Sequence, residues 1–181
     1  MSSQDIQPEG GPKAALLLDR VLIFVATAVI LISLSGLFLS LVAEVIVRYA
    51  TNAGLGWPNE MPALLFPWLT MAGAVLAAQY GRHIAVQLGA EMLPLNAARW
   101  LMVAGSVLAA VTFAFLTWHG FAVMKIAGGE VYPVTGMTAN FAYAALISGF
   151  VGLSLTALTS IPVILKSDRP VSAREVPEEH P

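Results

Sequence analysis

The stretch Trp57–Val86, WPNEMPALLFPWLTMAGAVLAAQYGRHIAV, decides how the rest of the chain is read. Its middle, Met61–Tyr80, is apolar enough to lie in lipid. A helix needs about 20 such residues to cross a hydrocarbon core of roughly 30 Å. Polar groups frame the run. Glu60 and a Trp-Pro-Asn step stand before it, and Arg82-His83 closes it. Such a frame either marks the two faces of a membrane or carries chemistry.

Composition, read outward from this stretch, supports the membrane. The chain has 181 residues, of which 57% are hydrophobic and 11% charged, with a mean hydropathy of +0.77. A soluble domain carries about 25% charged residues. A water-soluble fold of this size could not hide so much apolar surface, so an integral membrane protein is expected. The net charge of −2 gives no basic excess for a nucleic-acid partner. There are no cysteines, which removes disulfides, thiol catalysis and thiolate metal sites. The first twenty residues lack a basic region leading into a short apolar core and a cleavage site, so a cleaved signal is not expected.

Three further apolar runs match the first, and the fold class expected is an all-α integral membrane protein with four transmembrane helices. The spans are about 21–47, 61–80, 97–124 and 138–165. Turn signals separate them: Asn52-Ala53-Gly54, Gly81 with Pro94-Leu95-Asn96, and Gly128-Gly129 with Pro133. Backbone groups in lipid must be satisfied within the segment, which selects helices. The four-helix membrane domain should cover 14–166, between polar tails 1–13 (disordered) and 167–181 (cytoplasmic). Lys13, Arg20, Arg82, Arg99, Lys166, Arg169 and Arg174 fall on one side, and Arg48 and Lys125 on the other. That bias places both termini in the cytoplasm. Ala14–Leu18 is apolar and precedes Asp19-Arg20; if it continues the first span, the helix must tilt, kink or begin in the interface. Ile84, Leu88 and Met92 recur every four residues in 84–95, which suits a short interfacial helix between the second and third spans.

The polar residues near the membrane are few. Glu44 and Arg48 stand four apart in the order that favours an ion pair, near the outer end of the first span. They serve either as a neutralised helix end or as a contact to a partner. Glu60 either meets the positive end of the second helix or bridges to Arg48 across the short loop. Trp57 belongs to the outer aromatic belt. Arg82 should reach phosphates at the inner face, with His83 beside it. His83 and His119 lie at opposite levels, roughly 30 Å apart along the helix rise, so they cannot share a haem iron. No cofactor, metal site or catalytic group is expected, and no deep acid is seen in any span to serve a proton relay. Pro67 should kink the second helix. Gly73, Gly81, Gly105, Gly149 and Gly152 offer smooth faces for packing within the chain or against another protein. Asn140 and Tyr143 open the fourth span at headgroup level.

These residues follow an order. Arg48-Tyr49, a short loop, Trp57, Glu60, Trp68, Gly73 and Gly81-Arg82-His83-Ile84-x-Val86 are followed by Leu93-Pro94 and by Met137 through Tyr143. The order resembles the small membrane subunit (Q-type, DctQ-like) of tripartite ATP-independent periplasmic (TRAP) transporters over about residues 20–165. The chain departs from that family's pattern at Pro58-Asn59, Gln87 and Gly136-Met137. The resemblance implies a non-enzymatic scaffold subunit in the bacterial inner membrane. Its implied partners are a large permease subunit, a periplasmic solute-binding protein that delivers an organic acid such as a carboxylate, and the lipid bilayer. On this reading Glu44, Arg48, Tyr49, Trp57, Glu60, Trp68, Arg82, His83 and Tyr143 are the candidate structural or partner contacts. A self-sufficient small transporter or channel and a membrane anchor for a redox complex are the competing readings.

Overall fold

The computed structural model describes residues 13–51, 54–80 and 95–166. Arg82, His83, the expected interfacial helix save Leu95, and the two expected tails save Lys13 lie outside the described residues. Four long helices carry the fold. α1 runs Lys13–Thr51, α2 Met61–Gln79, α3 Leu95–Ala127 and α4 Asn140–Lys166, with a 3₁₀ turn at Trp57–Asn59 before α2. All four are long and apolar enough to cross a membrane. The described connecting segments 54–60 and 128–139 share one end of the molecule, called here the two-loop end.

A long helix lies at each of the four expected spans. α1 runs unbroken through Ala14–Leu18 and Asp19-Arg20, the continuous case that the sequence left open. The apolar turn before Asp19 continues the helix because the carboxylate finds a protein partner. α3 is likewise longer than the expected 97–124. At 1.5 Å per residue, the 19 residues of α2 reach about 28 Å, close to the hydrocarbon thickness, whereas the 39 of α1 reach about 58 Å. α2 sets the depth of the domain, and α1 must incline or overhang.

The helices form an open layer in the order α1, α2, α4, α3. α1 packs along α2, α2 along α4 and α4 along α3; α1 meets α4 over a short stretch, and among the described residues α3 packs on neither α1 nor α2. A closed four-helix bundle would give every helix two long neighbours. Here α2 and α4 are central and α1 and α3 flank them.

Close packing holds the centre. Lipid tails are as apolar as leucine, so helices associate through small residues and hydrogen bonds. At the two-loop end Trp68 Nε1 donates to the Phe141 carbonyl at 3.1 Å, with the rings 5.3 Å apart. Midway, a Cβ on Gly152 would lie 2.8 Å from a Val75 methyl, and Gly149 abuts Met71 in the same way. At the far end the buried Gln79 amide donates to Thr156 Oγ1 at 2.9 Å. Across the α3–α4 contact, Ser154 donates to the Ala110 carbonyl at 3.1 Å and Phe113 stacks on Phe150 at 6.3 Å. Between α1 and α2, Ala26 packs with Ala72 and Val75 beneath Val29, Ile30 and Leu76.

The small residues thus divide by use. Gly149 and Gly152 are interfacial, whereas a Cβ on Gly73 or Gly105 would meet open space. Gly152→Leu should therefore overpack the α2–α4 contact and cost about 1–3 kcal/mol. Gly105→Leu should shift stability by far less. Thermal unfolding of both variants in detergent checks this, and equal losses would contradict the assignment.

Candidate functional site

Two carboxylates organise the two-loop end. Glu44 lies near the end of α1, seven-hundredths exposed at its side chain, and its Oε1 accepts from Arg48 Nη2 at 2.8 Å. This is the ion pair that the four-residue spacing predicted. Its other oxygen, Oε2, accepts the backbone N–H of Leu55 at 2.9 Å. One side chain therefore closes its own helix end and anchors the returning chain. Gly54 is part of the reason, because a Cβ there would fall 2.8 Å from Glu44 Oε1.

Glu60 stands at the positive end of α2, one of its two expected places, but it does not bridge to Arg48. It occupies the position before α2, but its side chain makes no capping bond to that helix. Arg48 is already held by Glu44, so no Glu60–Arg48 bridge forms. Glu60 instead grips the connection between α3 and α4. Its Oε1 accepts the Val134 N–H at 2.9 Å, and its Oε2 accepts the Thr135 N–H at 2.8 Å and the Thr135 hydroxyl at 2.7 Å. Charge-assisted bonds of this kind are about twice as strong as neutral ones.

The gripped loop is itself ordered. Tyr132 N–H donates to the Met137 carbonyl at 2.8 Å, and Gly136 N–H donates to the Tyr132 carbonyl at 2.9 Å. Val131 and Thr138 form an isolated antiparallel bridge. Gly136 turns the chain at φ 70°, a conformation that costs glycine nothing. Val134, beside the amides Glu60 holds, sits 3.5 Å from where a Gly56 Cβ would be. The two loops therefore meet as one surface. Trp57 and Val134 are partly exposed on it, and Tyr49 is almost fully exposed at the adjoining end of α1.

The other predicted residues are scattered. Trp68 joins α2 to α4. Tyr143 lines an open apolar cavity of about 180 Å³ between α3 and α4, with His119, Gly120 and Phe150. His119 packs against Phe115, their ring centres 4.2 Å apart. A second groove of about 150 Å³ lies between α1, α2 and α4. Solute pockets run to about 300–1,000 Å³ and carry convergent polar groups. Neither groove meets that description. Among the described residues, no three His, Cys, Asp or Glu stand together as metal ligands.

Sequence reasoning missed one acid. Asp19 is buried among the helices, and its Oδ1 accepts the Thr159 hydroxyl at 2.6 Å. Asp19 fell outside the apolar run Val21–Val47 and read as a helix flank. The signal lay in α4, where Thr156 and Thr159 stand three apart on one face. The partners of Glu60 had no such signal, because two of its three donors are backbone amides 74 and 75 residues away.

Comparison with known proteins adds a family. Residues 37–166 match the family described as tripartite ATP-independent periplasmic transporters, DctQ component. An uncharacterized protein of Sinorhizobium fredii, y4mM, is 32% identical over 148 residues; the match covers 81% of this chain and 27% of that protein. The chain thus spans about a quarter of that relative's length. A putative TRAP transporter small permease protein of Haemophilus influenzae is 22% identical over 135 residues, covering 75% of this chain and 79% of the relative. The ectoine TRAP transporter small permease protein TeaB of Halomonas elongata is 26% identical over 137 residues, covering 75% and 68%.

Glu60→Ala should release the 128–139 loop, and the Val134 and Thr135 amides should lose their hydrogen-exchange protection. Glu44→Ala should do the same at Leu55 and leave residues 134 and 135 protected. Exchange at single-residue resolution checks both, and unchanged protection at 134 and 135 in Glu60→Ala would remove the grip from the account.

Proposed function

Since the chain belongs to the DctQ component family of the tripartite ATP-independent periplasmic transporters, it is a multi-pass membrane subunit of a transporter and not an enzyme, and we propose that it is the fixed scaffold of a TRAP-type importer. The observation that carries this is the placement of the polar side chains. Glu44 and Glu60 bind loop amides, and Gln79, Thr156, Thr159 and Asp19 bind one another across helices. Two grooves between the helices are apolar and small. Solute selection and ion coupling then reside in a large permease subunit that packs beside this domain, here 14–166. A periplasmic solute-binding protein delivers the solute, of the organic acid class.

On this reading the protein lies in the bacterial inner membrane with both termini in the cytoplasm, and the two-loop end faces the periplasm. Glu44, Arg48, Tyr49, Trp57 and Glu60 shape the periplasmic surface available to partners. Trp68 and Tyr143 support it from within the layer. Arg82 and His83 hold the cytoplasmic level.

Reconstitution tests the proposal. Liposomes holding this chain alone should show no saturable flux of organic acids, whereas adding the large permease and the binding protein encoded with it should restore flux. Saturable flux from the chain alone would overturn the scaffold reading in favour of a self-sufficient carrier. In the full transporter, Trp57→Ala and Arg48→Ala should lower complex yield or maximal rate and leave the half-saturating solute concentration unchanged. A changed solute preference in an intact complex would count against the assignment of those residues.

A further inference from the structure

α1 is far longer than a bilayer core requires, and an overlong helix is free to tilt unless something fixes it. Its packing against α2 leaves rotation about that contact open. Toward α4 it is held little: the apolar groove lined by Leu22 and Val25 of α1, Met71 of α2, and Gly149 and Gly152 of α4 lies between them. One turn beyond Leu22, at the foot of this groove, stands Asp19.

Asp19 and Thr159 are both buried, and the hydroxyl lies 2.6 Å from the carboxylate. That is a short contact for a hydroxyl donating to a carboxyl oxygen. The same hydroxyl is 3.1 Å from the Thr156 carbonyl of its own helix, and it has one proton to give. The Asp19 oxygen is the nearer acceptor. Thr156 in turn receives the Gln79 amide and donates to the Gly152 carbonyl at 2.9 Å. A ladder of polar groups thus joins α1, α4 and α2 at one level, opposite the two-loop end.

We propose that Asp19 and Thr159 form a latch that fixes the angle of α1 against the α2–α4 pair, and that they are positioning residues for the assembled transporter. The consequence for transport rests on the scaffold reading above; the geometric claim does not. Thr159 donates, Asp19 accepts, and the groove above them stays open because the helices are tied at its foot.

The chain lacks cysteine, so spin labels can be placed directly. Cysteines at the exposed Leu17 and Leu165 report the latched end, and those at Ile46 and Val151 serve as a reference pair. Pulsed electron-paramagnetic-resonance distances are measured on the full chain in lipid nanodiscs. Thr159→Val, which removes the hydroxyl and keeps the branched shape, should lengthen and broaden the Leu17–Leu165 distance by more than its native width. The reference distance should change less. Asp19→Leu should act in the same direction, and Thr159→Ser should restore the native distance. An unchanged Leu17–Leu165 distance in Thr159→Val overturns the latch, whatever Asp19→Leu does. In the reconstituted transporter, Thr159→Val should lower the maximal rate at unchanged half-saturation, with Thr159→Ser restoring it. A full rate with a displaced α1 would remove the positioning role. Flux from the wild-type chain alone would sink the scaffold reading and leave the distance result standing.

Discussion

Lipid offers no hydrogen bonds, and the structure depends on that constraint. A polar group left unpaired in hydrocarbon costs several kcal/mol, roughly the whole stability margin of a small domain. Each carboxylate at a helix end must therefore take donors from the protein. Glu60 shows how far this reaches. With its backbone leading into α2 and its oxygens on Val134 and Thr135, it ties the start of one central helix to the loop that starts the other. The α2–α4 register is then held at one end by a carboxylate, in the middle by glycines against Met71 and Val75, and at the other end by Gln79 on Thr156.

This pattern also explains why the layer stays open. Between α2 and α4 lie close glycine contacts and two side-chain hydrogen bonds, so those two helices hold each other. α1 and α3 turn large apolar side chains outward, among them Phe24, Ile32 and Phe38 on one and Leu108, Phe115 and Trp118 on the other. In water such surfaces would collapse onto each other. In a bilayer they are solvated, so no force closes the layer into a bundle. An open layer also offers more surface to a neighbouring subunit than a closed bundle of the same helices, which suits a part that works by being packed against.

Much of this was legible in the order of residues. Apolar runs of bilayer length, broken by Gly, Pro and Asn, marked four helices, because one physical requirement governs them all. The Glu44–Arg48 pair was legible because both partners lie on one helix at a fixed spacing. The hold of Glu60 on the second loop was not legible, for the opposite reason. Its acceptors' partners are amides from a loop brought close by folding, and amides have no signature in sequence. Asp19 was missed because a charge beside an apolar run looks like its boundary, whereas a buried hydroxyl one helix away allowed the run to continue. The glycines showed the same limit. Gly73 and Gly152 look alike in the chain, and only the position of α2 against α4 separates them.

The two acids of α1 carry the argument one step further. Asp19 and Glu44 stand twenty-five residues apart on one helix, about 37 Å by the helical rise. The hydrocarbon core is roughly 30 Å thick. Charged groups that serve loops and helix ends belong at the two edges of that core, not within it. Placing both acids at those edges inclines α1 by about 37°, near the upper limit of transmembrane tilts. An overlong helix laid diagonally in this way is bound at one edge to the Leu55 amide and at the other to the Thr159 hydroxyl, and it follows α2 while reaching α4 only over a short stretch.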